Sequence, residues 1–216
     1  MDATPTPTPP GPSLAALRRL AALVQSGLAY ASNPYDVERY QEMQALCSEM
    51  LANRGPIDRA TLDAAFAHQL GYATPKVDVR AALFVDGRIV LVRERADRDR
   101  WTLPGGWADV GYSPTEAVLK EVQEECGLKA RVRKLVALLD HHRPSHPAQS
   151  PFAIWKMLFW CDIEGGQFAP SLEVSAMDTF ADGQWPADLS RSRITPAHLE
   201  LAFAHHRRPD LPPTID

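Results

Sequence analysis

The sequence predicts an α/β fold, a mixed β-sheet covered by helices, preceded by a small all-helical domain. Three observations carry this. Up to about Gln69 the apolar residues recur only at helical spacing. The stretch Gly71-Tyr-Ala-Thr-Pro75 then breaks the pattern, and beyond it β-branched runs are interspersed with helical segments. That order of elements builds a sheet with helical layers. We divide the chain into a disordered tail (1–12), a helical domain (13–72) and an α/β domain (73–216).

The tail, Met1-Asp-Ala-Thr-Pro-Thr-Pro-Thr-Pro-Pro, has almost nothing to bury. It lacks the basic and apolar regions of a secretory signal. In the helical domain Leu14, Leu17, Leu20 and Val24 fall on one face, and the first helix is expected to end near Gly27. Asn33 caps a second helix with Pro34 at its first position. Its apolar set is Tyr40, Met43, Leu46, Cys47, Met50 and Leu51. A third helix, roughly Asp58 to His68, turns Leu62, Ala65 and Phe66 inward. Three such helices make a marginal core alone, so this unit is expected to pack on the following domain or on another subunit.

In the second domain Asp86-Gly87 joins strands at Val77–Val85 and Arg88–Arg93, a strong hairpin signal. Strands are expected at Ala130–Asp140 and Ala153–Ile163, and helices at Pro114–Cys126 and Pro196–His205.

Composition excludes several classes. The net charge is −4, so there is no global case for a nucleic-acid partner. No apolar run is long enough to cross a bilayer, so no membrane role is expected. Cys47, Cys126 and Cys161 are unclustered and odd in number, which fits a reducing, cytoplasmic setting.

The chemistry lies in the helix at 114–126. Ser113-Pro114-Thr115-Glu116 is a capping box with proline at the first helical position, and Gly127 is the expected left-handed terminator. Val118, Leu119, Val122 and Cys126 face the core. Glu121, Glu124 and Glu125, spaced i, i+3, i+4, fill an adjacent arc. Three neighbouring carboxylates repel one another, and in a cleft they raise their pKa values or recruit a cation. A hard divalent ion, Mg²⁺ or Mn²⁺, suits their oxygens. On its own such an arc reads as a solvated acidic face.

What precedes the helix changes that reading. Trp101-Thr-Leu-Pro104-Gly105-Gly106-Trp107 is a strand end running into a Gly-rich loop. Here the chain resembles the Nudix hydrolases, whose box reads G-x5-E-x7-R-E-U-x-E-E-x-G-U, with U a bulky aliphatic. Gly106, Glu121, Val122, Glu124, Glu125, Gly127 and Leu128 match it, seven of nine specified positions, while Tyr112 replaces the first Glu and Lys120 the Arg. More narrowly, Leu103 to Glu116 looks like the branch with an N-terminal helical domain, described as CDP-choline or ADP-ribose pyrophosphatases.

The resemblance implies a Nudix α/β/α sandwich and hydrolysis of a nucleoside diphosphate linked to another moiety, by water attack on phosphorus. It implies metal binding by Glu121, Glu124, Glu125 and the carbonyl of Gly105, with supporting roles at the two departed positions. Lys120 keeps the charge but loses the bidentate fork, and it sits in an i, i+4 ladder with Glu116 and Glu124. Family members often take the general base from a later loop. Glu173 in Ser-Leu-Glu-Val-Ser is the best-placed candidate, ahead of Glu164 and Glu121 itself.

Trp107 and Tyr112 flank the loop and suit stacking on a base or sugar. Trp155 and Trp160 read as core or interface. His141, His142 and His146 hint at zinc, but Pro144 and Pro147 break the helix such a site would need. A loop contact to substrate, centred on His142, is the better reading. Pro144 lies sixteen residues past Leu128, a spacing associated with ADP-ribose-cleaving members, though 19 prolines make that coincidence cheap. The expected partners are a small nucleotide substrate and a second copy in a homodimer. The alternatives are a nucleotide-binding sensor with a degenerate box and a nucleoside triphosphate-cleansing pyrophosphatase.

Overall fold

The computed structural model describes residues 12–141 and 150–216. The chain divides into two compact units, one of residues 1–74 with 149–152, the other of 75–148 with 153–216. The proposed tail falls almost wholly outside the described residues, as do His142, Pro144 and His146.

The first unit holds helices α1 (Leu14–Tyr30), α2 (Pro34–Ala52) and α3 (Arg59–Ala67). Each starts on a side-chain cap: Ser13 accepts from the Ala16 amide, Asn33 from Tyr35 and Asp58 from Thr61. Leu17, Ala21, Val24, Cys47, Leu51, Leu62 and Phe66 form its core, with Phe152 set edge-on to Phe66. Two expectations need correction. The first helix runs past Gly27 to Tyr30, and Gly27 serves packing instead: a Cβ there would lie 2.4 Å from the Tyr40 ring. On the second helix Met43 and Leu46 are exposed and contribute nothing to this core.

The second unit contains β1 (Lys76–Val85), β2 (Arg88–Glu94), β3 (Arg100–Thr102), α4 (Pro114–Cys126), β4 (Leu128–Asp140), β5 (Ile154–Gly166), β6 (Val174–Phe180), α5 (Pro196–Arg207) and β7 (Thr214–Ile215). The mixed sheet runs β3-β2-β1-β5-β4-β7, with β6 paired to β2. Central β1 and β5 are parallel, whereas β1/β2, β2/β3, β2/β6 and β4/β5 are antiparallel. The hairpin at Asp86-Gly87 forms as expected, both residues at positive φ. The sequence pattern predicts neither β6 nor β7.

Side-chain alternation sorts the sheet between two helices. Val79, Ala81, Leu83, Val90, Val92, Phe159 and Cys161 pack with Val118, Val122 and Cys126 of α4. Ala82, Ile89, Leu91, Leu158 and Trp160 pack with Leu199, Ala202 and Phe203 of α5. The α/β/α sandwich is therefore present. Trp160 joins this core, whereas Trp155 is exposed.

Candidate metal and phosphate site

The site is built where α4 meets the loop after β3. Ser113 Oγ accepts from the Glu116 amide at 3.3 Å, and the Glu116 carboxylate accepts from the Ser113 amide at 2.8 Å. Gly127 ends the helix at φ +66. Between these stops the helix direction is fixed, and with it the arc of glutamates.

The loop is pinned to the edge of β1 like an extra strand. Pro104 O accepts from the Ala81 amide at 2.8 Å, Gly106 O from Val79 at 2.9 Å, and Val77 O from Ala108 at 2.9 Å. Gly105 has φ +138, and a Cβ there would come within 2.0 Å of Val79 O, so glycine is required. At Gly106 a Cβ would lie 2.9 Å from Glu121 Oε1, so its absence leaves room for that carboxylate.

The three glutamates are not equivalent. Glu125 is only 4% exposed, and its Oε2 accepts from the Gly105 amide at 2.7 Å. Burial pushes its carboxyl up to about 7, against the pull of Arg80 and of the Gly105 bond. Glu121 is half-buried; burial raises its pKa too, with Lys120 and Arg80 opposing and Glu124 and Glu173 adding. Glu124 is exposed and bonded to Lys120 at 2.7 Å. Lys120 also approaches Asp109 at 3.7 Å, so the ladder runs to Glu124 while Glu116 is spent on the cap.

Among the described residues no three His, Cys, Asp or Glu side chains converge into a ready-made ligand set. As they stand, Glu125 faces the loop backbone and Glu124 faces Lys120. Bringing Glu124 round would break only an exposed ion pair, of a kind that contributes little to stability. The donor chemistry fits a hard divalent ion: carboxylate oxygens on one helix, a glycine backbone beside them, and two carboxyls whose pKa values burial raises, so that their charged forms gain from a cation.

Glu173 immediately precedes β6, and its carbonyl accepts from the Arg95 amide at 2.8 Å. Its carboxylate lies within electrostatic reach of both Glu121 and Glu94. Glu164 is instead paired with Arg131 at 3.2 Å. Trp107 and Tyr112 are exposed on the loop, with Lys120 Nζ 6.0 Å from the Tyr112 ring centroid. His141 is buried at the end of β4.

Sequence reasoning missed four charged residues here. Asp78, Arg80 and Lys156 are buried on the two central strands. Arg80 Nε donates to Asp78 at 2.7 Å, and Lys156 pairs with the other Asp78 oxygen. Glu94, buried at the end of β2, pairs with Arg193, and burial raises its pKa. The signal was available: Asp78 and Arg80 alternate with apolar residues on a strand whose two faces are both covered by helices, so neither charge has a solvent face.

Known proteins resemble this chain in sequence and fold. Residues 12–66 match a family described as the UDP-X-like, N-terminal oligomerisation domain, and residues 74–188 match the NUDIX domain. YjhB of Bacillus subtilis (strain 168), which carries an ADP-ribose pyrophosphatase name, is 39% identical over 193 residues, 89% of this chain and 91% of its own length. A crystal structure of a UDP-X diphosphatase is 37% identical with a TM-score of 0.61, covering 94% of this chain and 97% of that one. That of an ADP-ribose pyrophosphatase from Streptococcus suis 89-1591 is 36% identical with a TM-score of 0.60, covering 66% and 100%. With its box glutamates gathered on one capped helix beside a Gly-Gly loop, this chain belongs to the Nudix family and is a Nudix hydrolase.

Proposed function

We propose that the enzyme hydrolyses the diphosphate bridge of a nucleoside diphosphate linked to a second moiety, with Mg²⁺ or Mn²⁺ held by Glu121, Glu124, Glu125 and the carbonyl of Gly105. The observation that carries this reading is Glu125, a nearly buried carboxylate bonded to the loop backbone at 2.7 Å. A divalent ion bound there supplies phosphate charge neutralisation and a more acidic attacking water. Glu173, beside Glu121 and Glu94, would accept the proton from that water. The exposed rings of Trp107 and Tyr112 would stack on base or sugar. His142, outside the described residues, keeps its proposed substrate contact.

The relatives' names support substrates of the ADP-ribose and UDP-X type over CDP-choline. Products would be a nucleoside monophosphate and a phosphorylated partner. The helical domain leaves Tyr30, Tyr35, Met43 and Leu46 exposed, and its family description is one of oligomerisation, which supports a homodimer. Three free cysteines support a cytoplasmic location. No helix among the described residues is long and apolar enough to cross a membrane.

A panel of ADP-ribose, UDP-sugars, CDP-choline, dinucleoside polyphosphates and nucleoside triphosphates with Mg²⁺ or Mn²⁺ tests this reading. Turnover should favour the diphosphate-linked compounds. A preference for triphosphates would mark a cleansing enzyme, and ADP-ribose binding without turnover a sensor.

A further inference from the structure

The family's box places an arginine beside the metal-binding glutamates. Here that position is Lys120, which spends its charge at the exposed rim on Glu124 and Asp109. A second cation lies under the same site and comes from outside the box. Arg80 on β1 is 2% exposed. Its Nε donates to Asp78 at 2.7 Å and its Nη1 to the Leu103 carbonyl at 3.1 Å. Leu103 is the residue from which the Gly-Gly loop departs.

The loop rests on the backbone around this arginine. Residues 79 and 81 donate to Gly106 O and Pro104 O, and a Cβ at Gly105 would come within 2.9 Å of Arg80 Cα. Gly105 in turn donates to Glu125. A connected path therefore runs from Asp78 through the guanidinium, Leu103 and Gly105 to the buried carboxylate of α4.

The charges point the same way. Arg80 and Lys156 are two buried cations facing one carboxylate, Asp78, and an excess buried charge is costly without a partner. Glu125 lies within Arg80's field, as do Glu121 and Glu94. A lysine at position 80 would present one ammonium, whereas the planar fork reaches Asp78 and Leu103 at once.

We propose that Arg80 is a positioning residue of the metal site: its guanidinium fixes the Leu103 carbonyl, and through it the Gly105 backbone, against the α4 carboxylates. The support that the box draws from α4 thus comes from β1. This rests on the metal site proposed above.

The test is Mn²⁺ binding by the full chain, read from the electron paramagnetic resonance of free Mn²⁺ without any turnover. Melting temperatures are recorded in parallel. Deleting a nearby cation would by itself tighten the binding of a divalent ion. Weaker binding therefore reports a displaced loop and not lost charge. Arg80→Gln should raise the Mn²⁺ Kd about tenfold or more, as removal of a supporting residue does, and Arg80→Lys about threefold or more. Lys156→Met disturbs the same buried network without touching Leu103, and should shift the melting temperature while leaving Kd within about twofold. Lys120→Ala should bind no more weakly than the parent.

Arg80→Gln binding like the parent, or Lys156→Met weakening binding equally, overturns the assignment. Should Arg80→Gln fail to fold, Arg80→Lys decides, since unchanged binding there is equally contrary. A parent chain that binds no Mn²⁺ overturns the metal reading itself, and the assignment with it.

Discussion

Helices α4 and α5 cover opposite faces of one sheet and begin alike, with proline at the first position behind a hydroxyl residue. Their interiors differ. α5 buries Leu199, Ala202 and Phe203 with two histidines, and ends on His205, His206 and Arg207; burial and nearby cations lower both imidazole pKa values, so Arg207 supplies the positive charge that suits its C-terminus. α4 buries Val118, Val122 and Cys126 but also Glu125. A glutamate pointing into a core is expensive unless something meets it. On α4 the backbone of Gly105 meets it, whereas α5 buries no carboxylate. The difference teaches that chemistry here belongs to a helix and the loop beside it together.

Neutralising the buried carboxylate should have the largest effect. Glu125→Gln keeps the shape and should lower kcat with Mg²⁺ on the order of a thousandfold, about 4 kcal/mol. Glu124→Gln, at the exposed rim, should cost less. Steady-state kinetics on the preferred diphosphate substrate check both, and equal losses would erase the distinction between buried and exposed ligands.

pH acts on the metal-free chain through the same carboxyl. The folded Glu125 carboxyl titrates at about 7 against an ordinary 4.5, so the fold favours its protonated form. That stabilisation is complete below about pH 4.5 and is lost as pH rises through about 7, a change of roughly 3 kcal/mol. Unfolding in chelator should show the parent falling relative to Glu125→Gln by that amount between pH 4.5 and 8. Parallel curves would show that Glu125 is not buried as described.

Gly105→Ala should destabilise by about 2–3 kcal/mol, because its Cβ would strike Val79 O at a positive φ. Chemical denaturation measures this directly. The smallest effect separates the two helix starts. Ser113 accepts from its helix, whereas among the described residues the Thr195 hydroxyl makes no hydrogen bond and His198 Nδ1 accepts from the Thr195 amide at 3.1 Å instead. Ser113→Ala should cost about 1 kcal/mol and Thr195→Ala appreciably less.

Local chemistry made the first helix of this pair and the 86–87 hairpin legible, since caps, prolines and Asp-Gly turns act within a few residues. The short strands β6 and β7 were not legible, because they exist only through distant pairing with β2 and β4. The same holds for charge. The glutamates of α4 read as a site only with the Gly-Gly loop ahead of their helix, and Asp78, Arg80 and Lys156 look like a solvated strand face until both faces are known to be covered. Gly27 misled for a related reason: a glycine that admits the Tyr40 ring looks, in sequence, like one that ends a helix.

Glu121, Glu124, Glu125 and the Gly105 carbonyl are proposed to share one cation. A crystal soaked in Mn²⁺ and measured for anomalous scattering tests it most directly. The expected result is a peak within about 2.5 Å of oxygens from Glu121, Glu124, Glu125 and Gly105. A peak elsewhere in the chain, with this cleft empty, would contradict it.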